Sequence, residues 1–194
     1  MVFIRPDERE INFKIVLWGP PCSGKTTFLS SLRAQLTAPK SAGKTIPSPD
    51  RTLFFDFLPL KVDKIKNMAA HFHLYTVPGQ APYQDSRSLL LRGVDGVVVV
   101  LDSQIDRSAD NRQCLDELQA FLDAMGESLT QLPLIFVYNK QDTASALTPD
   151  DMNQLYNPHH LPAFPTVAAK GAHVAESFSA LIEKVVAHAR TDAL

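Results

Sequence analysis

The chain predicts a three-layer α/β fold, a mostly parallel β-sheet with one antiparallel edge hairpin and helices on both faces. Three observations carry this. Apolar runs of strand length alternate with helical patterns along the 194 residues, the order that builds parallel βα units. The run 96–101 holds four consecutive valines, as a strand buried on both faces does. The run 13–17 leads through Trp18 into Gly19-Pro-Pro-Cys22-Ser23-Gly24-Lys25-Thr26-Thr27, a Gly-x-x-x-x-Gly-Lys-Thr loop that opens a helix. Strand, glycine-rich loop and helix in that order make a P-loop, the arrangement that wraps a phosphate.

Each element follows in turn. Residues 26–36 form the first helix, with Phe28, Leu29, Leu32 and Leu36 on one face. Residues 37–50 hold Pro39, Gly43, Pro47 and Pro49 with little apolar content, and predict a mobile loop. Residues 52–60 and 72–77 read as strands; the polar link 61–71 is short enough to require antiparallel pairing. After the valine strand, 107–125 forms a helix bounded by Gly126, with Leu115, Leu118 and Leu122 inward. Then come a strand at 134–138, a short helix at 149–156 and a strand at 164–167. The closing helix is marked by Val174, Phe178, Leu181, Ile182, Val185 and Val186 on one stripe. One domain over residues 1–194 accommodates all of this.

Composition excludes several classes. A net charge of −2 supplies no basic field for nucleic acid or an anionic membrane surface, so no nucleic-acid partner is expected. No apolar run approaches the roughly 18 residues of a membrane span, and the first ten residues are too charged for a signal peptide. Position 2 is Val2, not the glycine of myristoylation, and the C-terminus lacks a prenylatable cysteine. The expectation is a cytoplasmic chain with no direct membrane anchor, any recruitment to a cell pole running through partners. Cys22 and Cys114 are then free thiols. His71 and His73 share a strand face and read as an exposed hairpin surface; His159-His160 reads as loop surface.

The phosphate loop has a direct chemical meaning. Backbone N–H groups from Cys22, Ser23, Gly24, Lys25, Thr26 and Thr27 can point at phosphate oxygens where the helix presents its positive end. Lys25 adds a charge on the β- and γ-phosphates, and Thr26 Oγ1 can ligate Mg²⁺. Pro20 and Pro21 remove two donors from this cradle. Asn139-Lys140-Gln141-Asp142 follows the strand 134–138 at the carboxyl edge of the sheet, where open α/β folds bind ligands. A carboxylate at Asp142 can accept from both N1–H and the N2 amine of guanine, whereas adenine offers neither donor. Asn139 can bridge to the base or to the phosphate loop, and the Lys140 stem can cover base and ribose.

The phosphate loop, Thr52, Gly79-Gln80, Asn139-Lys140-x-Asp142 and Ala168-Ala169-Lys170 occur in an order that resembles Ras-like small GTPases over nearly the whole chain. Three longer strings, Arg51-Thr-Leu-Phe-Phe-Asp-Phe-Leu-Pro-Leu60, Phe72-His-Leu-Tyr-Thr-Val-Pro-Gly-Gln80 and Leu91-Arg-Gly-Val-Asp-Gly96, are similar to the bacterial MglA family of polarity and gliding-motility GTPases. The resemblance implies GTP/GDP and Mg²⁺ as cofactors. It implies Thr52 closing over the γ-phosphate beside Thr26 on the metal, Gln80 orienting the attacking water, and Arg51 as an arginine finger in cis. Gly79 falls in the same nucleotide-sensing segment as Gln80. Ala168-Ala169-Lys170 matches the Ser-Ala-Lys element with Ala for Ser, its backbone near the guanine O6. A Roadblock-type MglB dimer is the implied activating protein, with polarity or motility effectors beyond it, and the strand 52–60 would change register between states.

Two departures bear on catalysis, the Pro20-Pro21 pair that thins the phosphate cradle and Thr76. Thr76 stands where the Asp-x-x-Gly-Gln element of small GTPases has its carboxylate, a departure that MglA proteins share. A hydroxyl holds the Mg²⁺ water shell less firmly, so slow intrinsic turnover is expected. A rival follows: a non-hydrolysing GTP/GDP-bound scaffold of the same fold that recruits polarity proteins. An ATP-dependent kinase would have no use for Asn139 and Asp142.

Overall fold

In the computed structural model, which describes residues 3–5, 10–37, 57–65, 68–76 and 84–192, the elements run β1 (Phe3–Arg5), β2 (Glu10–Trp18), α1 (Lys25–Thr37), β3 (Phe57–Ile65), β4 (Met68–Thr76), α2 (Gln84–Leu91), β5 (Gly96–Asp102), α3 (Ser108–Ala124), β6 (Leu134–Asn139), α4 (Pro149–Tyr156), β7 (Ala163–Pro165) and α5 (Val174–Asp192). They form one sheet in the order β3-β4-β2-β5-β6-β7, with β1 also on β2. Strands β4, β2, β5, β6 and β7 are mutually parallel.

The burial of β2 shows how the layers are built. Glu10, Asn12 and Lys14 alternate, half-buried, with buried Ile11 and Phe13; from Ile15 onward every residue is buried, because helices then cover both faces. One face carries Phe13, Ile15 and Leu17 against Phe28 and Leu32 of α1 and Phe178, Leu181 and Val185 of α5. The other carries Val16 and Trp18 against Leu91 of α2, Leu115, Leu118 and Leu122 of α3, and Met152 and Tyr156 of α4. All seven residues of β5 are buried, so the valine run lies at the sheet's centre.

Three features depart from the sequence expectations. The segment 61–71 is mostly strand: β3 and β4 pair antiparallel from Phe57–Tyr75 through Val62–Ala70, with a register shift before Ile65–Met68. Its polar side chains hid a ladder that backbone bonding satisfies. The antiparallel component exceeds one hairpin, since β1 pairs antiparallel with residues 10–12 of β2. Helix α2 was missed because its inward positions are Arg87 and Leu91 while Leu89 is 56% exposed, so the leucine run hides the helical period. The loop expected at 37–50 lies outside the described residues beyond Thr37. His71 and His73 are half-buried, with Nε2 atoms 3.3 Å from Glu10 Oε1 and 2.8 Å from Asn12 Oδ1.

Candidate nucleotide site

The carboxyl ends of β2, β5 and β6 bring the phosphate loop, Asp102 and the 139–142 segment to one edge of the sheet. Two glycines are fixed by close approach. A Cβ on Gly19 would lie 2.2 Å from the Val100 carbonyl oxygen. One on Gly24, at φ +99°, would lie 2.2 Å from Asn139 Nδ2. Between them Cys22 adopts φ 61° and is exposed, and the Pro21 carbonyl accepts from Arg107 Nη2 at 3.1 Å. Arg107 is also ion-paired with Asp110 at 2.9 Å, so the start of α3 steadies the loop where its prolines leave it without N–H groups.

Lys25 is 7% exposed and curls back, its Nζ donating to the carbonyls of Gly19 at 2.8 Å and Pro20 at 2.7 Å. Burial pushes its pKa down to about 8. Ser23 is fully buried, and its Oγ has no hydrogen-bond partner among the described residues. A buried hydroxyl donor beside a buried ammonium, in a loop where a Cβ does not fit, matches an anionic phosphate rather than a packed turn. Thr26 and Thr27 are exposed in the first turn of α1.

Asn139 holds the two halves of the site together. Its Nδ2 donates to the Ser23 carbonyl at 2.8 Å, and its Oδ1 accepts from Ala168 N at 2.9 Å and Thr166 Oγ1 at 3.4 Å. Of the two roles open to Asn139 in the sequence, this geometry matches the bridge to the phosphate loop. Ala168–Lys170 forms a tight turn, and Gln35 Nε2 of α1 donates to the Gly171 carbonyl behind it at 2.7 Å. Asp142 Oδ2 is 2.8 Å from Lys170 Nζ. That hydrogen bond holds the Asp142 carboxyl below its ordinary pKa, keeping it an acceptor. Lys140 adopts φ 66° and reaches Asp102 Oδ2 at 2.5 Å.

Asp102 is fully buried and also accepts from Gln104 N at 3.1 Å. Sequence reasoning passed over both Asp102 and Arg107. A carboxylate ending an otherwise apolar strand, Gly-Val-Val-Val-Val-Leu-Asp, was the available signal for Asp102; Arg107 had none. Thr76 ends β4 beside Leu17 and is 5% exposed. The four residues assigned to catalysis and nucleotide sensing, Arg51, Thr52, Gly79 and Gln80, lie outside the described residues.

With this geometry in view, comparison with known proteins is direct. Residues 3–185 match the model of the ADP-ribosylation factor family. The chain belongs to that family. It is 43% identical over 189 residues, 96% of each chain, to the mutual gliding-motility protein MglA of Myxococcus xanthus. It is 27% identical over 184 residues to ADP-ribosylation factor-like protein 4A of Homo sapiens, covering 90% of this chain and 84% of that one. To ADP-ribosylation factor-like protein 2 of Arabidopsis thaliana it is 29% identical over 150 residues, covering 77% and 71%. This ADP-ribosylation-factor-family chain is therefore an MglA-like small GTPase of the Ras-like class, and among its described residues no helix is long and apolar enough to cross a membrane.

Proposed function

We propose that this family member is a molecular switch that binds GTP and GDP with Mg²⁺, hydrolyses GTP to GDP and phosphate, and controls cell polarity or gliding motility through effectors and an MglB-type activating protein. The observation that carries the nucleotide reading is Asn139, hydrogen-bonded at once to the phosphate loop and to the Ala168 turn. Through it, a loop suited to phosphates and a carboxylate suited to guanine become one rigid site. The relation to MglA of Myxococcus xanthus supports the cellular role.

The residues divide the work. Gly19, Cys22, Ser23, Gly24 and Thr27 offer loop donors to the phosphates, and Lys25 exchanges its two carbonyl partners for phosphate oxygens. Thr26 and Thr52 are the Mg²⁺ ligands, and the metal when bound supplies charge neutralisation at the β- and γ-phosphates. Asp142 accepts the guanine N1–H and N2 amine, Lys140 lies along base and ribose with its ammonium tethered by Asp102, and Ala169 presents its N–H toward O6. Lys170 faces Asp142 from the Ala168 turn. Gln80 aligns water, Arg51 stabilises the charge that develops in transfer, and Gly79 contributes to nucleotide binding.

Asp142→Asn tests the base site. It should weaken GTP binding and admit xanthosine triphosphate, whose carbonyl at position 2 suits an amide donor; unchanged affinities for both nucleotides refute the assignment. The non-hydrolysing scaffold has two observations in its favour, the hydroxyl of Thr76 where small GTPases carry a carboxylate and the N–H groups that Pro20 and Pro21 lack in the phosphate loop. Single-turnover hydrolysis with and without the MglB-type regulator separates the two readings.

A further inference from the structure

We propose that Gln141 is a positioning residue for guanine selectivity: its side-chain amide ties the segment 139–142 to Ser103 and Leu147, and so sets the aim of the Asp142 carboxylate. This rests on the base-site reading above, which gives the guanine contacts to Asp142 and leaves Gln141 without a role. Gln141 is half-buried, and its Nε2 donates to Ser103 Oγ at 2.7 Å and to the Leu147 carbonyl at 3.1 Å, one acceptor for each amide hydrogen. Its backbone N donates to the Thr166 carbonyl at 3.2 Å. Ser103, the residue after β5, is fully buried. Its N donates to the Asn139 carbonyl at 2.9 Å, and its own carbonyl accepts from Leu147 N at 2.8 Å. One side chain thereby closes a ring between the end of β5, the base segment and the stretch that leads to α4.

Backbone pairing fixes the two ends of this segment, at Asn139 by Ser103 and at 145–147, where the Ser145 carbonyl accepts from Ile105 N at 3.0 Å. Between them the chain turns through Lys140 at φ 66°, a left-handed conformation that a residue other than glycine keeps where its surroundings impose it. Thr143 closes the turn, donating to the Lys140 carbonyl from N at 3.1 Å and from Oγ1 at 3.0 Å. Gln141 is thereby turned into the fold, and Asp142 outward onto Lys170, whose side chain is 69% exposed. An ion pair at the surface does little to fix a carboxylate in space. The amide one residue before it, bonded to a fully buried serine, is the firmer anchor. Its partners also account for the residue type: a glutamate of the same length would set a carboxylate against the Leu147 carbonyl, and a leucine would offer neither acceptor a donor.

The test compares Gln141→Leu, Gln141→Glu, Ser103→Ala and, as a packing lesion in the core of α3, Leu118→Ala. Thermal stability and calorimetric affinities for GDP and for inosine diphosphate, whose base keeps N1–H and lacks the N2 amine, are measured for each. Wild type should prefer GDP by about 10- to 100-fold, the scale of one hydrogen bond to a carboxylate. Both Gln141 variants should narrow that ratio by about 5- to 10-fold, GDP weakening more than inosine diphosphate because a misaimed Asp142 loses its second contact. Ser103→Ala leaves Gln141 the Leu147 carbonyl and should narrow the ratio less; combined with Gln141→Leu it should add nothing to the loss. Leu118→Ala should melt lower at an unchanged ratio, since a loss of stability alone weakens both nucleotides alike. An unchanged ratio in the Gln141 variants, or an equal narrowing in Leu118→Ala, overturns the proposal and leaves the base site standing. Should neither Gln141 variant fold, Ser103→Ala decides, and a wild-type ratio there overturns the proposal. A wild type that binds neither nucleotide, or both alike, defeats the base-site reading itself, and the proposal falls with it.

Discussion

Replacing Lys25 by methionine keeps the length and apolar stem of the side chain and removes its charge. Burial holds the Lys25 ammonium at a pKa of about 8 against an ordinary 10.5, with Arg87 adding to the depression and Cys114 and Cys22 opposing it. At about 1.4 kcal/mol per pH unit, keeping that side chain charged at pH 7 destabilises the nucleotide-free fold by about 3 kcal/mol. Methionine forfeits two hydrogen bonds from a charged donor, to Gly19 and Pro20, worth about 1.5–3 kcal/mol each. The balance leaves Lys25→Met between equal to wild type and about 3 kcal/mol less stable, each kcal/mol lowering the midpoint by roughly 2–4 °C for a domain of this size. The pH dependence has a definite sign. Between about pH 8 and 10.5 the unfolded chain binds a proton that the folded one has released, so wild-type stability climbs through that window relative to the variant and runs parallel to it below. Thermal unfolding of both nucleotide-free proteins from pH 7 to 10 is the assay, with calorimetric titration showing that GDP binding is lost. A Lys25→Met protein that melts above wild type without nucleotide at pH 7, or two parallel profiles above pH 8, refutes the reasoning.

Two further outcomes follow from the site. Asn139→Ala removes the bonds to Ser23 and Ala168 and strands a buried amide, so stability should fall by roughly 2–4 kcal/mol; urea unfolding should show a lower midpoint at unchanged slope, and an unmoved midpoint denies Asn139 its bridging role. Gln80→Leu and Arg51→Ala should bind GTP as wild type does yet lose regulator-stimulated hydrolysis, by about 10³-fold for the arginine; single-turnover rates equal to wild type at matched occupancy would remove both from the catalytic machinery.

The fold was legible wherever side-chain period and backbone geometry agreed. Helix α5, with its unbroken apolar stripe, and α4, whose Thr148–Asp151 capping box and Pro149 announce its start, were readable from residues alone. Helix α2 was not, since an arginine filled a position that a pattern reader expects to be apolar. The polar stretch at 61–71 misled for the opposite reason, because strand pairing is a backbone property and does not require an apolar sequence. In the site, glycine spacing and the 139–142 motif pointed to segments that the fold brings to one edge of the sheet. The supports, Asp102 and Arg107, act through contacts across 38 and 86 positions of sequence, and no local spacing encodes such pairs.

Helix α1 reaches both ends of the site. Its first turn carries Lys25 and Thr26 under the phosphate loop, and ten residues on, about 15 Å along the axis, Gln35 grips Gly171 behind the Ala168 turn. On the nucleotide reading proposed above, the helix is a spacer bar between the grip on phosphate and the choice of base. Its length and phase are constrained by that pairing: one residue inserted between Thr27 and Ser31 would swing Gln35 through about 100° and free the turn at its far end, while Lys25 stayed in place. Such a chain should still hold nucleotide by its phosphates yet prefer GTP over ATP less, and undiminished preference in a competition assay would show that the bar is dispensable. Nearly three turns of helix thus separate the two groups, so on the reading proposed above the register of α1 is itself part of the recognition code.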